Sequence, residues 1–309
     1  MGDGDGDGEL AALLDQVPAL RGPRAVTELS GGLTNRNYRV TVEGAGDYVV
    51  RRFPPRADRT EERLGIDRDA EHHNSVAAAS AGVGAPVVAY APELGLLVLE
   101  HLDGTTLDNA SFDDAGVVAR VGAAVRRLHE GPAFTGRFDM FARQRGYLRV
   151  VTEDGGCFDG YRDHDPAFRR VEQALAVRPP PLAPCNNDLL AANFIDDGQR
   201  VRIIDYEYSG SNDASFELGN TASECDLDEE QVAALLQAYA GAVTRERLAR
   251  VRLQALVSAY GWALWGLIQS RSSGIDADFW SWGLERFEKA ARGFTSAGFE
   301  TLLAEAAGG

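Results

Sequence analysis

Before residue 100 this 309-residue chain is punctuated like a small β-sheet; after it the strand signals nearly cease. Residues 25–29, 36–42 and 48–53 are short, rich in Val and Tyr, and separated by glycine turns, which reads as three strands. A helical stretch at 68–81 stops at Gly82, and two more strands at 87–91 and 96–99 flank a Pro92…Gly95 turn. Helical patterns follow at 112–129, 139–150 and 166–177, until Pro179-Pro180-Pro181 stops the run. Two β segments at 194–195 and 201–204 flank Asp197-Gly198, and the chain from Glu229 on is mostly helical. Residues 1–8 alternate Gly and Asp and read as a disordered leader, with a short helix from Glu9 to Gln16. The pattern predicts an α+β fold of two lobes: a β-rich N-terminal lobe at 9–102 and a larger, mostly helical C-terminal lobe at 103–309. A ligand site belongs in the cleft between them.

Composition narrows the function. No apolar run approaches the roughly 18 residues of a membrane span, and the acidic leader is the opposite of a secretion signal. Cys157, Cys185 and Cys225 make an odd count, and neither they nor the five histidines show metal-ligand spacing. Free thiols in a reducing cytoplasm are expected. Forty-seven acidic against 31 basic side chains leave a net charge of −16, a poor balance for nucleic acid or an anionic membrane. It suits a cationic partner, or solubility alone. Lys289 is the only lysine, so a phosphate-binding cation in the N-terminal half must be an arginine.

The densest polar cluster is Cys185-Asn186-Asn187-Asp188-Leu189-Leu190-Ala191-Ala192-Asn193-Phe194-Ile195, followed by Ile203-Ile204-Asp205-Tyr206-Glu207-Tyr208. An Asp, an Asn five residues later, a β-turn and an apolar strand ending in Asp match the kinase plan of a proton-accepting base plus two magnesium ligands. Magnesium takes hard oxygen donors and keeps several waters, so one carboxylate and one amide suffice on the protein side. A polar loop held by Asn and Asp turn bonds is the plainer alternative.

These segments resemble the choline/ethanolamine kinase family, within the aminoglycoside-phosphotransferase-like small-molecule kinases. The resemblance spans roughly 26–295 and includes Gly31-Gly32-Leu33-Thr34-Asn35, Phe216-Glu217-Leu218-Gly219-Asn220 and Trp262-Ala263-Leu264-Trp265. It implies a bilobal protein-kinase-like fold and phosphorylation of a small-molecule hydroxyl that depends on ATP and Mg2+. Carried onto this chain, it makes Asp188 the catalytic base, with Asn193 and Asp205 holding the metal. Arg51 would hold the ATP phosphates with Glu71 as its partner, Arg52 being the alternative that strand alternation leaves open. Gly31, Gly32 and Asn35 would form the turn over the phosphates, and the connector from Glu100 to Leu102 would meet the adenine. One departure stands out: Asn186 occupies the place of the family's usual His, so activity is retained, weakened or lost according to how well an amide replaces that scaffold.

The acceptor end is aromatic. Trp262, Trp265, Trp280 and Trp282 fall within 21 residues, and Trp262 and Trp265 share a helix face. The resemblance places Tyr208, Trp262, Trp265 and Trp282 around the substrate's ammonium head, with Glu224 beside it. A trimethylammonium group has no N–H to offer a carboxylate, whereas aromatic faces attract it at roughly 0.5–2 kcal/mol per contact. Tryptophans at this spacing also fill cores. Choline is therefore the favoured substrate. Ethanolamine, an aminoglycoside or thiamine remains as an alternative acceptor, and a weak or non-catalytic nucleotide- or choline-binding relative as another class. The acids Asp213, Glu217, Glu224, Asp226, Asp228, Glu229 and Glu230 are expected to favour a cationic substrate. A homodimer is left open. Protein phosphorylation is disfavoured, because no activation segment ending in Ala-Pro-Glu follows Asp205.

Overall fold

The computed structural model describes residues 3–29, 32, 34–53 and 63–308, with side chains from residue 8 onward. Helix α1 (Asp3–Leu14) begins well before Glu9 and takes in most of the expected leader.

Strands β1 (Arg24–Leu29), β2 (Arg36–Val42), β3 (Gly46–Arg52), β4 (Val87–Ala91) and β5 (Leu96–Glu100) form an antiparallel sheet in the order β1-β2-β3-β5-β4. Helix α2 (Arg68–Ser80) is inserted between β3 and β4, its N-terminus capped by Asp67. Leu10 and Leu14 of α1 pack with Val40, Val50 and Val98 on one face of the sheet. Successive side chains alternate across a strand, so Arg52 joins Val50 on that face and pairs with Glu9 at 2.7 Å. Arg51 points the other way, into the cleft. Burial of β3 against α1 thus decides between the two arginines.

The helical remainder comprises α3 (Ala115–His129), α4 (Met140–Glu153), α5 (Asp165–Ala176), α6 (Ala214–Glu224), α7 (Glu229–Ala240), α8 (Arg245–Ser272), α9 (Phe279–Phe294) and α10 (Phe299–Ala306). Its axis is α8, where Leu253, Val257, Tyr260, Ala263, Leu264 and Leu267 are completely buried. The apolar pattern locates these helices, but caps set their starts. Asp114 and Asp139 cap α3 and α4, so residues 112–113 stay outside α3, in a short 3-10 turn (Asn109–Asp113). Asp213, Asp228 and Asp278 do the same for α6, α7 and α9. Each such cap is worth about 1 kcal/mol. No described helix is long and apolar enough to cross a membrane.

Short strands frame the site. β6 (Thr105–Thr106), β8 (Phe194–Asp196) and β9 (Val201–Ile203) form one sheet, and β7 (Leu182–Cys185) pairs antiparallel with β10 (Gly210–Asp213), Cys185 opposite Gly210. Sequence periodicity finds β8 and β9 but misses β6, β7 and β10, which are two to four residues long. Pro184 and Gly210 erase any strand pattern there. The framework carries two loops, 186–193 between β7 and β8 and 204–209 between β9 and β10.

Candidate active site

One amide ties the two loops together. Asn186 Nδ2 donates to the carbonyls of Asp205 (2.7 Å) and Ile204 (3.2 Å), while its Oδ1 accepts from the Asp188 N–H at 3.0 Å. Asn193 Nδ2 donates to the Asp188 carbonyl at 2.7 Å. Beneath them the buried Glu217 carboxylate of α6 accepts the N–H groups of Asn186 and Asn187, each at 2.7 Å. Asn220 of the same helix accepts the Leu189 N–H at 2.6 Å. Asn187 (φ 71°) and Asp205 (φ 63°) have left-handed backbones, which cost of order 1–3 kcal/mol each and persist only where surrounding bonds over-determine them. The short amide at 186 therefore makes the scaffold bonds on both sides. Asn186→Ala should lower unfolding free energy by about 1–3 kcal/mol and slacken the loop. A denaturation midpoint equal to the parent's would show that the amide does not hold the loops together.

Asp188, Asn193, Asp205, Glu207 and Thr34 share one small, partly open cavity, about 60 Å³, with Leu190, Ala192, Trp262, Trp265 and Trp282. The acid–amide set and the indoles thus converge. Burial, and then the carboxylates of Glu224, Asp205 and Glu207, push the Asp188 carboxyl well above the usual carboxylate range, against the pull of Arg286. A carboxylate so raised is a better proton acceptor than one in water.

Arg51 meets two of these lining residues, Asp205 and Glu207, from the other lobe. Its Nη1 lies 2.6 Å from Asp205 Oδ1 and 3.4 Å from Glu71 Oε1, and its Nη2 is 3.5 Å from Glu207 Oε2. Asp205, then Glu71 and Glu207, more than offset the burial that alone would lower its pKa, so the guanidinium is held firmly charged. Glu71, expected as the main partner, makes its shorter contact with Arg68, at 2.6 Å. Asn35 is drawn into the same network: it donates to Glu207 at 2.9 Å and accepts from Arg68 Nη2 at 2.8 Å. It is thus a clasp between lobes as well as a turn residue. Thr34 Oγ1 adds bonds to Glu207 at 2.8 and 2.9 Å. A Cβ at Gly32 would run into the Asn35 carbonyl, so this turn requires glycine. Gly31 lies outside the described residues. Thr34, Arg68 and Glu207 escaped the sequence reading. Glu207 stands two residues after Asp205, where its spacing was the one available signal; nothing in a sequence marks a charged residue as buried. At the connector, the Glu100 N–H is spent on Pro86 (2.9 Å), and Leu102 packs beside Phe53, Ala85, Leu97 and Leu99.

At the acceptor end, Trp262 and Trp265 meet edge-on at 6.4 Å between ring centroids, and Trp282 of α9 meets Trp265 at 5.2 Å. A close α8–α9 crossing brings Trp282 this far, since a Cβ at Gly266 would be 2.8 Å from the Gly283 Cα. Tyr208 does not line the cavity. Its hydroxyl accepts from Trp265 Nε1 at 2.8 Å and its ring lies 4.9 Å from that of Trp262, so it braces the wall from behind. Glu224 also departs from expectation. It is buried and bound by Arg286, whose Nε lies 3.1 and 3.3 Å from its two oxygens. The Arg286 guanidinium in turn stacks on Trp282, 3.3 Å from the ring centroid. Trp280 remains half-exposed against Phe158. Most of the acidic run is structural: Asp213 caps α6 and pairs with Arg250, Asp226 pairs with Lys289, Asp228 caps α7, and Glu229 faces Arg252. None of that run lines the cavity.

A kinase-type cleft whose acceptor end is walled by indoles makes this a small-molecule kinase. The chain belongs to the phosphotransferase enzyme family, whose profile matches residues 25–251. It is 32% identical to a choline/ethanolamine kinase family protein from Mesorhizobium loti, whose crystal structure superposes with a TM-score of 0.84 over 98% of this chain and 99% of that one. The choline kinase LicA from Streptococcus pneumoniae shares the fold, at 23% identity and a TM-score of 0.79 over 94% and 99% of the two chains. Human ethanolamine kinase 2 is 38% identical over 140 residues, covering 38% of this chain and 36% of its own length.

Proposed function

We propose that this kinase transfers the γ-phosphoryl group of ATP to the hydroxyl of choline. The observation that carries the choice is an inventory of acceptors. In and behind the cavity, Asp205 is engaged by Arg51, Glu207 by Thr34, Asn35 and Arg68, and Glu224 by Arg286. A primary ammonium brings three N–H donors that need acceptors, and among the described residues the one carboxylate not held by a cation there is Asp188, which the hydroxyl needs. A trimethylammonium needs none and gains from the indole faces. This supports choline over ethanolamine.

Asp188 accepts the hydroxyl proton, in a loop held by Asn186, Asn193 and Glu217. Arg51 lies in position to meet phosphate oxygens, with its Nε buried and unpartnered among the described residues. Asn193 spends its amide nitrogen on the Asp188 carbonyl, which leaves its oxygen to stand with the Asp205 carboxylate as a hard donor pair suited to Mg2+. Magnesium held there would neutralise charge on the transferred phosphoryl group. The apolar patch at Leu102 offers a surface for the adenine.

Release of ADP from ATP and Mg2+ with choline, ethanolamine, thiamine and an aminoglycoside tests the reading. Choline should exceed ethanolamine in kcat/KM by about tenfold or more, the equivalent of 1.4 kcal/mol. Equal or reversed values would reject choline, and no ADP with any acceptor would favour a binding protein instead. Trp282→Leu should raise the KM for choline by about tenfold and leave that for ATP nearly unchanged. A parallel shift in both would make Trp282 a packing residue.

A further inference from the structure

Three side chains far apart in sequence meet behind the loop that carries Asp188. His129 ends α3, Cys185 ends β7 and Glu217 lies on α6, and one donor atom from each falls within 4.8 Å of the others. His129 Nε2 is 3.4 Å from Cys185 Sγ and 3.7 Å from Glu217 Oε1. Ligands at about 2.0–2.3 Å from a tetrahedral ion are separated by similar distances. The other imidazole nitrogen, Nδ1, lies 2.9 Å from the Tyr239 hydroxyl of α7. Such an outer bond is what orients a ligating histidine, leaving its far nitrogen free for the metal. The side chains of His129 (4% exposed) and Glu217 (0%) are buried, as is Cys185.

We propose that His129 Nε2, Cys185 Sγ and Glu217 Oε1 form a site for a thiophilic divalent cation such as Zn2+, and that its occupancy slows turnover. Imidazole and thiolate select Zn2+ or Cd2+ over Mg2+, so this site is chemically distinct from the Asn193–Asp205 pair. Three protein ligands leave a fourth position for water. Binding displaces the Cys185 thiol proton to solvent and forms the metal–sulfur bond. The effect on turnover passes through Glu217, whose Oε1 also accepts the Asn186 N–H. A cation on that oxygen competes with the N–H that fixes the start of the loop, two residues before Asp188. This second part rests on the kinase reading; the site itself does not.

Titration of the metal-stripped full chain with Cd2+ reads the site directly through the ultraviolet thiolate-to-cadmium charge-transfer band. We expect one equivalent per chain, with the band lost in Cys185→Ser, weakened in His129→Gln and kept in Cys157→Ser. Circular dichroism establishes that each variant is folded. Zn2+ should lower kcat several-fold in the parent and leave the KM for ATP unchanged, and Cys185→Ser should lose that sensitivity. No band, or a band that survives in Cys185→Ser, overturns the site. A Cys185-dependent band with unaltered kcat overturns the link to the loop. Failure of every acceptor to yield ADP would instead refute the kinase reading and leave the cadmium result standing.

Discussion

Asp188→Asn should reduce ADP release from ATP and choline by at least about a thousandfold, within the range expected for loss of a general base, without lowering the unfolding temperature. The amide keeps the shape of the carboxylate but cannot take the hydroxyl proton. Stability should hold or rise. Burial, Glu224, Asp205 and Glu207 all disfavour the ionised form of Asp188, so a neutral side chain relieves a cost that the parent carries near neutral pH. Activity and calorimetry together are decisive. Turnover near the parental rate would reject Asp188 as the base, and a fall in unfolding temperature would make it a structural tie.

Arg51→Met should act in the opposite sense on stability. Removing one partner of a buried ion pair typically costs about 3–5 kcal/mol, because the other charge stays behind. Here Glu71 and Glu207 are left with Arg68, and Asp205 loses the one guanidinium among its described contacts. ATP should then fail to raise the unfolding temperature. Arg51→Lys should recover only part of the loss, since an ammonium is a compact charge that cannot span three carboxylates as a planar fork does. Urea denaturation with and without ATP measures both effects. A loss below about 1 kcal/mol, the value of an exposed pair, would show that Arg51 does not organise this network.

The two-lobe plan was legible because its signals are local: short Val- and Tyr-rich strands between glycines, then long helical patterns with stops at Gly82 and Pro179-Pro180-Pro181. The grouping of Asp188, Asn193 and Asp205 was legible because one hairpin separates them. Arg51 against Arg52 was not, since alternation gives opposite faces but only the packing of α1 says which face is covered. Glu224 was misread for a related reason. Its acidity is plain in the sequence, but Arg286, 62 residues later, neutralises it through a contact between α6 and α9. The clasp of Thr34, Asn35 and Arg68 on Glu207 and the meeting of His129 with Cys185 and Glu217 likewise depend on long-range folding. Asn186 marks the middle case: the departure was visible, but only geometry shows its amide spanning both loops.

Using a guanidinium where the sequence has no lysine to offer alters how this cleft can be addressed chemically. Lys289 sits on α9, bound to the Ser223 carbonyl and Asp226. Acyl-phosphate nucleotide probes and aldehyde warheads, which report kinase pockets by capturing an ε-amine, meet no such nucleophile beside Arg51. Reagents that condense with guanidinium, the 1,2-dicarbonyls, are the matching chemistry, and they would have to prise Arg51 away from its carboxylates first.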